Sequence, residues 1–223
     1  MDALLAHQAL AERVRWEISQ ALLTRDLSPG EVAERWGLST SLVSHHVKCL
    51  VDAGLIRRRS SEHDARRSYL SLRSDDAQVV AMVSLGTPMM ASPRRVAFVC
   101  TRNSARSKLA AACWRNISSI PAIDAGTSPA RVPHPLAIAT ASRRGLVLDP
   151  DMHAVATTVR DEDLVIAVCD HAHEEMTPWP DRLHWSVPDP VGIAPVTPAA
   201  FVSACDNLQT RVDQLHRSIR AGS

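Results

Sequence analysis

The stretch Arg94-Arg95-Val96-Ala97-Phe98-Val99-Cys100-Thr101-Arg102-Asn103-Ser104-Ala105-Arg106-Ser107 decides how the second half of this chain folds. Val96 to Val99 is a short apolar run, the mark of a buried strand. A polar loop follows, then a helix with Leu109, Cys113 and Ile117 on one stripe. Strand, loop and helix in that order aim backbone N–H groups and a helix dipole at one point, and so bind an anion. A cysteine at the head of such a loop has its thiolate stabilised by the same field and becomes a nucleophile at neutral pH. Arg106, six residues on, can fork two N–H bonds onto a tetrahedral oxyanion. Thr101, Arg102, Asn103, Ser104 and Ala105 form the loop around that anion. Ser107 can donate to the thiolate. Asn103 can hold the tight turn, since Asn tolerates left-handed backbone. The spacing C-x5-R alone arises often by chance; the strand before it and the Ser and helix after it make it specific.

Beyond the loop, strands and helices alternate, the pattern of a parallel sheet wrapped by helices. Phe201, Cys205, Leu208, Val212 and Leu215 form one apolar helix stripe, and Cys113 and Cys205 read as core. Asp170-His171-Ala172-His173-Glu174 reads as a solvated helix start rather than a metal cluster.

The first half is different. Leu10, Val14, Ile18 and Leu22 recur every four residues, so the opening segment is expected to be one amphipathic helix. Ser28-Pro29-Gly30-Glu31 carries a capping box for the next helix, which runs to Trp36 and stops at Gly37. Ser39 or Thr40 caps a third helix that runs to Ala53. Two short helices about a tight turn are the helix-turn-helix signature. On the third helix Val43, Val47 and Leu50 face the core. Ser41, Ser44, His45 and Lys48 share another face, where short or cationic side chains can reach base edges in a major groove. His45 and His46 point to different faces, so no metal is expected there. Residues 55–72 read as a hairpin whose five arginines, Arg57, Arg58, Arg59, Arg66 and Arg67, make a basic patch suited to phosphates.

The 223 residues are enough for two domains. The expected boundaries are 1–85, a linker at 86–93 with two prolines, and 94–223. Net charge is +1, so any nucleic-acid affinity must come from the local patch and not from the whole chain. Nearly all the basic residues are Arg; the only lysines are Lys48 and Lys108. No stretch approaches the ~20 apolar residues that span a bilayer, and residues 1–13 lack a signal-peptide layout; the expected location is the cytoplasm. Five widely spaced cysteines, an odd number, point to working thiols rather than a disulfide framework.

The stretch Ser39 to Ile56, S-T-S-L-V-S-H-H-V-K-C-L-V-D-A-G-L-I, resembles the recognition helix of ArsR-type winged-helix repressors, and the likeness covers about residues 6–85. It implies a DNA operator as partner and autoregulation of a resistance operon. It also implies a homodimer, joined through the first helix and the segment Ser74 to Leu85. Arsenite-sensing members carry Cys-x-Cys on the first helix of the motif; Glu31 to Trp36 has none, and Cys49 reads as a filler residue.

The Cys100 loop resembles that of the low-molecular-weight phosphotyrosine phosphatases and the thiol-linked arsenate reductases of the same fold, from Arg94 to about Ile219. The fold class this implies is α/β, a winged helix-turn-helix followed by a flavodoxin-like parallel-sheet domain. The resemblance makes Cys100, Arg106 and Ser107 catalytic and assigns the general acid to Asp189, in the Asp-Pro pair with Pro190. Relatives read C-x-G-N-x-x-R-S. Arg102 replaces that Gly, at the pocket rim, where it adds positive charge or restricts access. Phosphatases of the fold place aromatics after the acid, whereas Val191-Gly192-Ile193 has none. The loop-to-acid spacing is short, as in the reductases. Asp163 to Asp170 matches the reductase strand that ends in a second redox cysteine, here Cys169. The third relay cysteine is replaced by Met176, so a three-cysteine relay cannot run. Two routes remain. Cys169 attacks and leaves a disulfide for an outside reductant, or a small thiol (glutathione or mycothiol) attacks directly; otherwise Cys169 is a buried strand residue. No bound cofactor or metal is expected, only an external thiol reductant, mycothiol, glutathione or thioredoxin-type. The leading expectation is an ArsR-like repressor fused to an arsenate reductase. The alternatives are a phosphatase of the same fold and a non-catalytic regulator that senses an oxyanion.

Overall fold

The computed structural model describes residues 2–176, 182–192 and 194–219; of the aromatic-free segment after the acid, Ile193 lies outside these. The chain divides into two compact units, Met1–Met89 and Met90–Ser223. The division falls inside 86–93, because Met90 is stitched to the second unit: its N–H donates to Ser218 O at 2.7 Å.

The first unit holds α1 (Ala3–Leu10), α2 (Arg13–Ala21), α3 (Pro29–Trp36), α4 (Thr40–Asp52), β1 (Ile56–Ser60), β2 (Ser68–Leu72) and α5 (Ala77–Ser84). The opening segment is two helices, not one. Glu12 takes an extended conformation and its carboxylate accepts the N–H groups of Val14 and Arg15, so a fresh N-cap interrupts the repeat. The apolar spacing still marked the core, since Leu10, Ile18 and Leu22 are all buried. The capping box at α3 is complete: Ser28 Oγ accepts the Glu31 N–H at 3.2 Å, and Glu31 accepts the Ser28 N–H at 2.6 Å. Gly37, at φ 62°, closes the helix in the left-handed region that a side chain would strain. Ser39 caps α4. β1 and β2 pair antiparallel, Arg58 opposite Leu70, and Leu27 bridges Leu70 from outside the hairpin. This is a winged helix, with Ile18, Val32, Val43, Leu50, Leu55 and Leu70 in its core.

The second unit holds β3 (Val96–Cys100), α6 (Arg106–Ile117), β4 (Ala122–Gly126), α7 (Pro135–Arg143), α8 (Val155–Thr158), β5 (Leu164–Ala167), α9 (Asp170–Glu175), β6 (Leu183–His184) and α10 (Pro198–Ser218). The sheet is parallel, in the order β4-β3-β5-β6. Every residue of β3 is buried, as a central parallel strand covered on both faces must be. The next two strands of the chain, β4 and β5, lie on opposite sides of it, so the loop after β3 sits at the topological switch point, where open α/β sheets bind ligands. Arg95 forks onto Asp163 at 2.8 and 2.7 Å and ties the start of β3 to the start of β5. α6 is buried at every position from Arg106 to Trp114, more than a one-stripe helix would be. The α10 stripe is buried as expected, and Cys113 and Cys205 are both fully buried.

The start of α9 is not solvated. Asp170 and His173 are buried, and His184 Nε2 lies 3.1 Å from Asp170 Oδ1. The rings of His173 and His184 stack at 4.0 Å. The cause is β6, which pairs Ala167 with His184 and so brings that imidazole over α9. Among the described residues no helix is long and apolar enough to cross a membrane.

Candidate functional site

The Cys100 loop is built from the outside in. Four of its carbonyls face outward and accept N–H groups from the segment after β4. Cys100 O takes Thr127 N, Thr101 O takes Ser128 N, Arg102 O takes Ala130 N, and Ser104 O takes His134 N, at 2.8–3.1 Å. In a trans peptide the N–H points opposite to the C=O. Outward carbonyls therefore direct the loop's amides inward. No side chain caps the start of α6, which leaves its first N–H groups for an anion. Asn103 adopts φ 49°, the left-handed turn expected of it. Gly126 lies against the loop: a Cβ there would stand 2.8 Å from Thr101 O and 2.9 Å from Asn103 N. Only glycine lets the two backbones approach so closely.

Cys100 is 3% exposed and its Sγ lies 3.2 Å from Ser107 Oγ. The guanidinium of Arg106 spans from the loop to the segment after β6. Its Nη1 donates to Val187 O at 2.9 Å, and its Nη2 stands 3.4 Å from Asp189 Oδ2. Cys100, Arg106 and Asp189 thus line one cleft of about 330 Å³. Its rim carries Arg102, Val132, Pro133, His134 and Val191. Arg102 is at the rim, as its position in the loop suggested, and its side chain is exposed. The cleft can hold a small tetrahedral oxyanion, with a thiol below it, a guanidinium beside it and a carboxyl group at its edge.

Cys169 follows β5 and caps α9. Its Sγ lies 3.5 Å from Thr101 Oγ1, just beyond the strand that pairs with β3. Burial pushes its thiol up from the ordinary value, and the neighbouring Cys100 adds to this against the opposing pull of Arg106.

On the winged helix, Ser41, Ser44, His45 and Lys48 are all exposed along one face of α4, while His46 is buried on another. Lys48 pairs with Asp52 at 2.7 Å. The wing arginines are exposed or half-buried, but they do not form a bare cationic patch. Arg57 pairs with Asp75, Arg59 with Glu62, and Arg66 and Arg67 both face Asp64. Arg58 donates to Ser68 Oγ at 2.9 Å. Asp75, Glu62 and Asp64 hold these side chains in place.

Three features at the anion loop were not anticipated. His134 caps α7, stacks on Phe201 at 4.6 Å and forms part of the rim; His-Pro at a helix start was the available signal. Gly126 was hidden, because close backbone approach leaves no trace in spacing. The third is a fully buried ion pair of Lys108 and Asp124 behind Asn103, which the partly exposed Arg115 joins from outside. The rarity of lysine in this chain was its only hint. Among the described residues, no group of three or more His, Cys, Asp or Glu side chains could hold a metal ion.

Comparison with known proteins follows the two units. Residues 95–222 match the family described as low molecular weight phosphotyrosine protein phosphatase. Residues 19–67 match the MarR family, where the sequence alone resembled the ArsR type. An uncharacterized HTH-type transcriptional regulator of Bacillus subtilis is 37% identical over 73 residues, 32% of this chain and 70% of that protein. A probable mercury resistance operon repressor of Streptomyces lividans is 30% identical over 95 residues, 43% of this chain and 72% of that protein. Among solved structures, an arsenate reductase from Archaeoglobus fulgidus is 25% identical with a TM-score of 0.47, covering 54% of this chain and 97% of that one. A transcriptional-regulator helix-turn-helix is thus fused to a phosphatase-type α/β unit.

Proposed function

Because the chain belongs to the low molecular weight phosphotyrosine protein phosphatase family across residues 95–222, we propose that Cys100 is the nucleophile of a thiol-dependent arsenate reductase joined to an ArsR-like, DNA-binding repressor unit. The observation that carries this is the cleft itself. Cys100 Sγ is held by Ser107 beneath Arg106, and a second thiol, Cys169, stands just beyond the adjoining strand in contact with Thr101.

The thiolate of Cys100 attacks arsenic and forms an S–As bond. One arsenate oxygen leaves, and Asp189 supplies the proton that makes it water. A second thiolate then attacks the Cys100 sulfur. The S–As bond breaks, its electron pair stays on arsenic, and arsenite departs as a disulfide forms. Two thiols have given two electrons. The attacking thiol is Cys169 or an external thiol of the glutathione or mycothiol kind. With Met176 where a third cysteine would stand, an external thiol must reduce the enzyme. Arg106 stabilises charge on the oxyanion, and Val191 and Gly192 after the acid bring no aromatic ring to stack on an aryl substrate. The name of the Streptomyces relative, a probable mercury resistance operon repressor, supports a resistance role for the DNA-binding unit. That unit binds as a homodimer, with Ser41, Ser44, His45 and Lys48 toward the bases and the wing arginines toward phosphates.

The test is arsenate-dependent consumption of thiol by wild type and Cys100→Ser. Turnover in the wild type alone is expected; equal turnover in both ends the proposal. A second reading is a phosphatase, favoured by the Asp189 carboxyl beside Arg106 and by the burial of Cys169, which pushes its thiol up. Hydrolysis of an aryl phosphate without added thiol, lost in Asp189→Ala, would transfer the assignment to it.

A further inference from the structure

We infer that Lys108 is a positioning residue for Cys100, acting through Asp124, Asn103 and Ser107. The inference rests on Cys100 being the nucleophile.

Lys108 is fully buried, one of only two lysines in a chain rich in arginine. Its Nζ donates to Asp124 Oδ1 at 2.9 Å and to Asp151 O at 2.5 Å. Asp124 is also fully buried, on β4, and its Oδ2 accepts from Arg115 at 2.9 Å. Two cations on one buried carboxylate keep it an acceptor at both oxygens. The compact ammonium fits between carboxylate and carbonyl, where a planar guanidinium would not.

That fixed acceptor dictates every proton up to the sulfur. Asn103 Nδ2 donates to Asp124 Oδ1 at 2.8 Å and to Ser107 Oγ at 3.0 Å, while Asn103 Oδ1 accepts the His153 N–H at 2.8 Å. Both amide hydrogens and the amide oxygen are therefore committed, and the amide cannot flip. Because Ser107 Oγ accepts from Asn103, its own proton is free to turn toward Cys100 Sγ, 3.2 Å away. The direction of the last hydrogen bond, which stabilises a thiolate, is set four groups back by a lysine that touches neither substrate nor sulfur. Other charged groups near this path are Arg106, which lines the cleft with Cys100, and Asp149 and His153 behind Lys108.

The test is the pH profile of Cys100 alkylation by iodoacetamide, read by peptide mass, in wild type, Lys108→Met and the double variant Lys108→Met/Asp124→Asn. Loss of one hydrogen bond to a charged sulfur slows alkylation about tenfold on the rising limb. Both variants should show this shift to higher pH. The double variant leaves no unpaired carboxylate and so guards against failure of the single variant to fold. In it a neutral amide at 124 can present N–H to Asn103 and release the fixed direction. A folded variant whose profile overlays the wild type overturns the inference. So does equal reactivity of Lys48 and Lys108 toward an amine reagent in the native protein. If wild-type Cys100 itself reacts only at the pH of an ordinary thiol, the nucleophile reading fails instead, and the two failures are distinct.

Discussion

Gly126→Ala tests the packing that shapes the anion loop. A methyl group at 126 would lie 2.8 Å from Thr101 O, 2.9 Å from Asn103 N and 3.0 Å from Asn103 Cβ. Two of these atoms are backbone, and no side chain can swing aside. Either β4 or the loop must shift by several tenths of an ångström. The loop is pinned on its outer side by four backbone hydrogen bonds, and Gly126 N itself donates to His153 O at 2.8 Å. Such overpacking costs roughly 1–3 kcal/mol. For a unit of this size that is a fall in Tm of roughly 3–10 °C. Geometry at the thiolate suffers more than stability, since a displacement near 1 Å costs about 100-fold in rate. Thermal unfolding measured beside single-turnover chemistry on Cys100 separates the two. A variant with wild-type Tm and wild-type turnover would refute the reasoning.

Other outcomes follow from the same geometry. Asp163→Asn strips Arg95 of its buried partner and is expected to cost about 3 kcal/mol, the lower end for broken buried pairs, because Arg95 reaches some solvent. Burial pulls the Asp163 carboxyl upward, but the bonds from Arg95 and the Arg160 N–H outweigh it, so its value is depressed in the fold. The unfolded chain then takes up this proton first. The stability it contributes is present above about pH 4 and is lost as pH falls through the folded value, and Asp163→Asn should flatten that limb of an acid titration. Burial holds His46 below 6.5 against the attraction of Glu12, so the winged helix should lose stability as pH drops below that value, and His46→Leu should remove the dependence seen by circular dichroism. Arg58→Ala should weaken operator and random DNA alike and lower the salt slope by about one, whereas His45→Ala should relax preference at one base pair by roughly 1–3 kcal/mol, both read by titration at several salt concentrations.

What the sequence disclosed depended on the range of the interaction. Capping is local, so Ser28, Glu31, Gly37 and Ser39 could be assigned to helix ends directly. The anion loop is local too: Cys100, Asn103, Arg106 and Ser107 lie within eight consecutive residues, and Ser107 Oγ lies within hydrogen-bonding distance of both Cys100 and Asn103. Asp189 came from resemblance, and the fold brings it to Arg106. Interactions between distant segments were invisible. Nothing near Asp124 announces that its carboxylate will lie under Asn103, and nothing near His184 announces that it will cover Asp170. The break at Glu12 was missed for a different reason. The apolar repeat runs through it, and only the carboxylate that recaps the chain interrupts the helix.

The central claim is that the Cys100 loop is an oxyanion cradle with a sulfur at its base. A crystal structure of the wild-type protein soaked in sulfate tests it most directly. The account predicts a sulfate in the cleft, its oxygens within hydrogen-bonding distance of the loop amides and of the Arg106 guanidinium, with Cys100 Sγ directly beneath. A cleft that stays empty of sulfate, or a Cys100 sulfur rotated into the sheet, would contradict it.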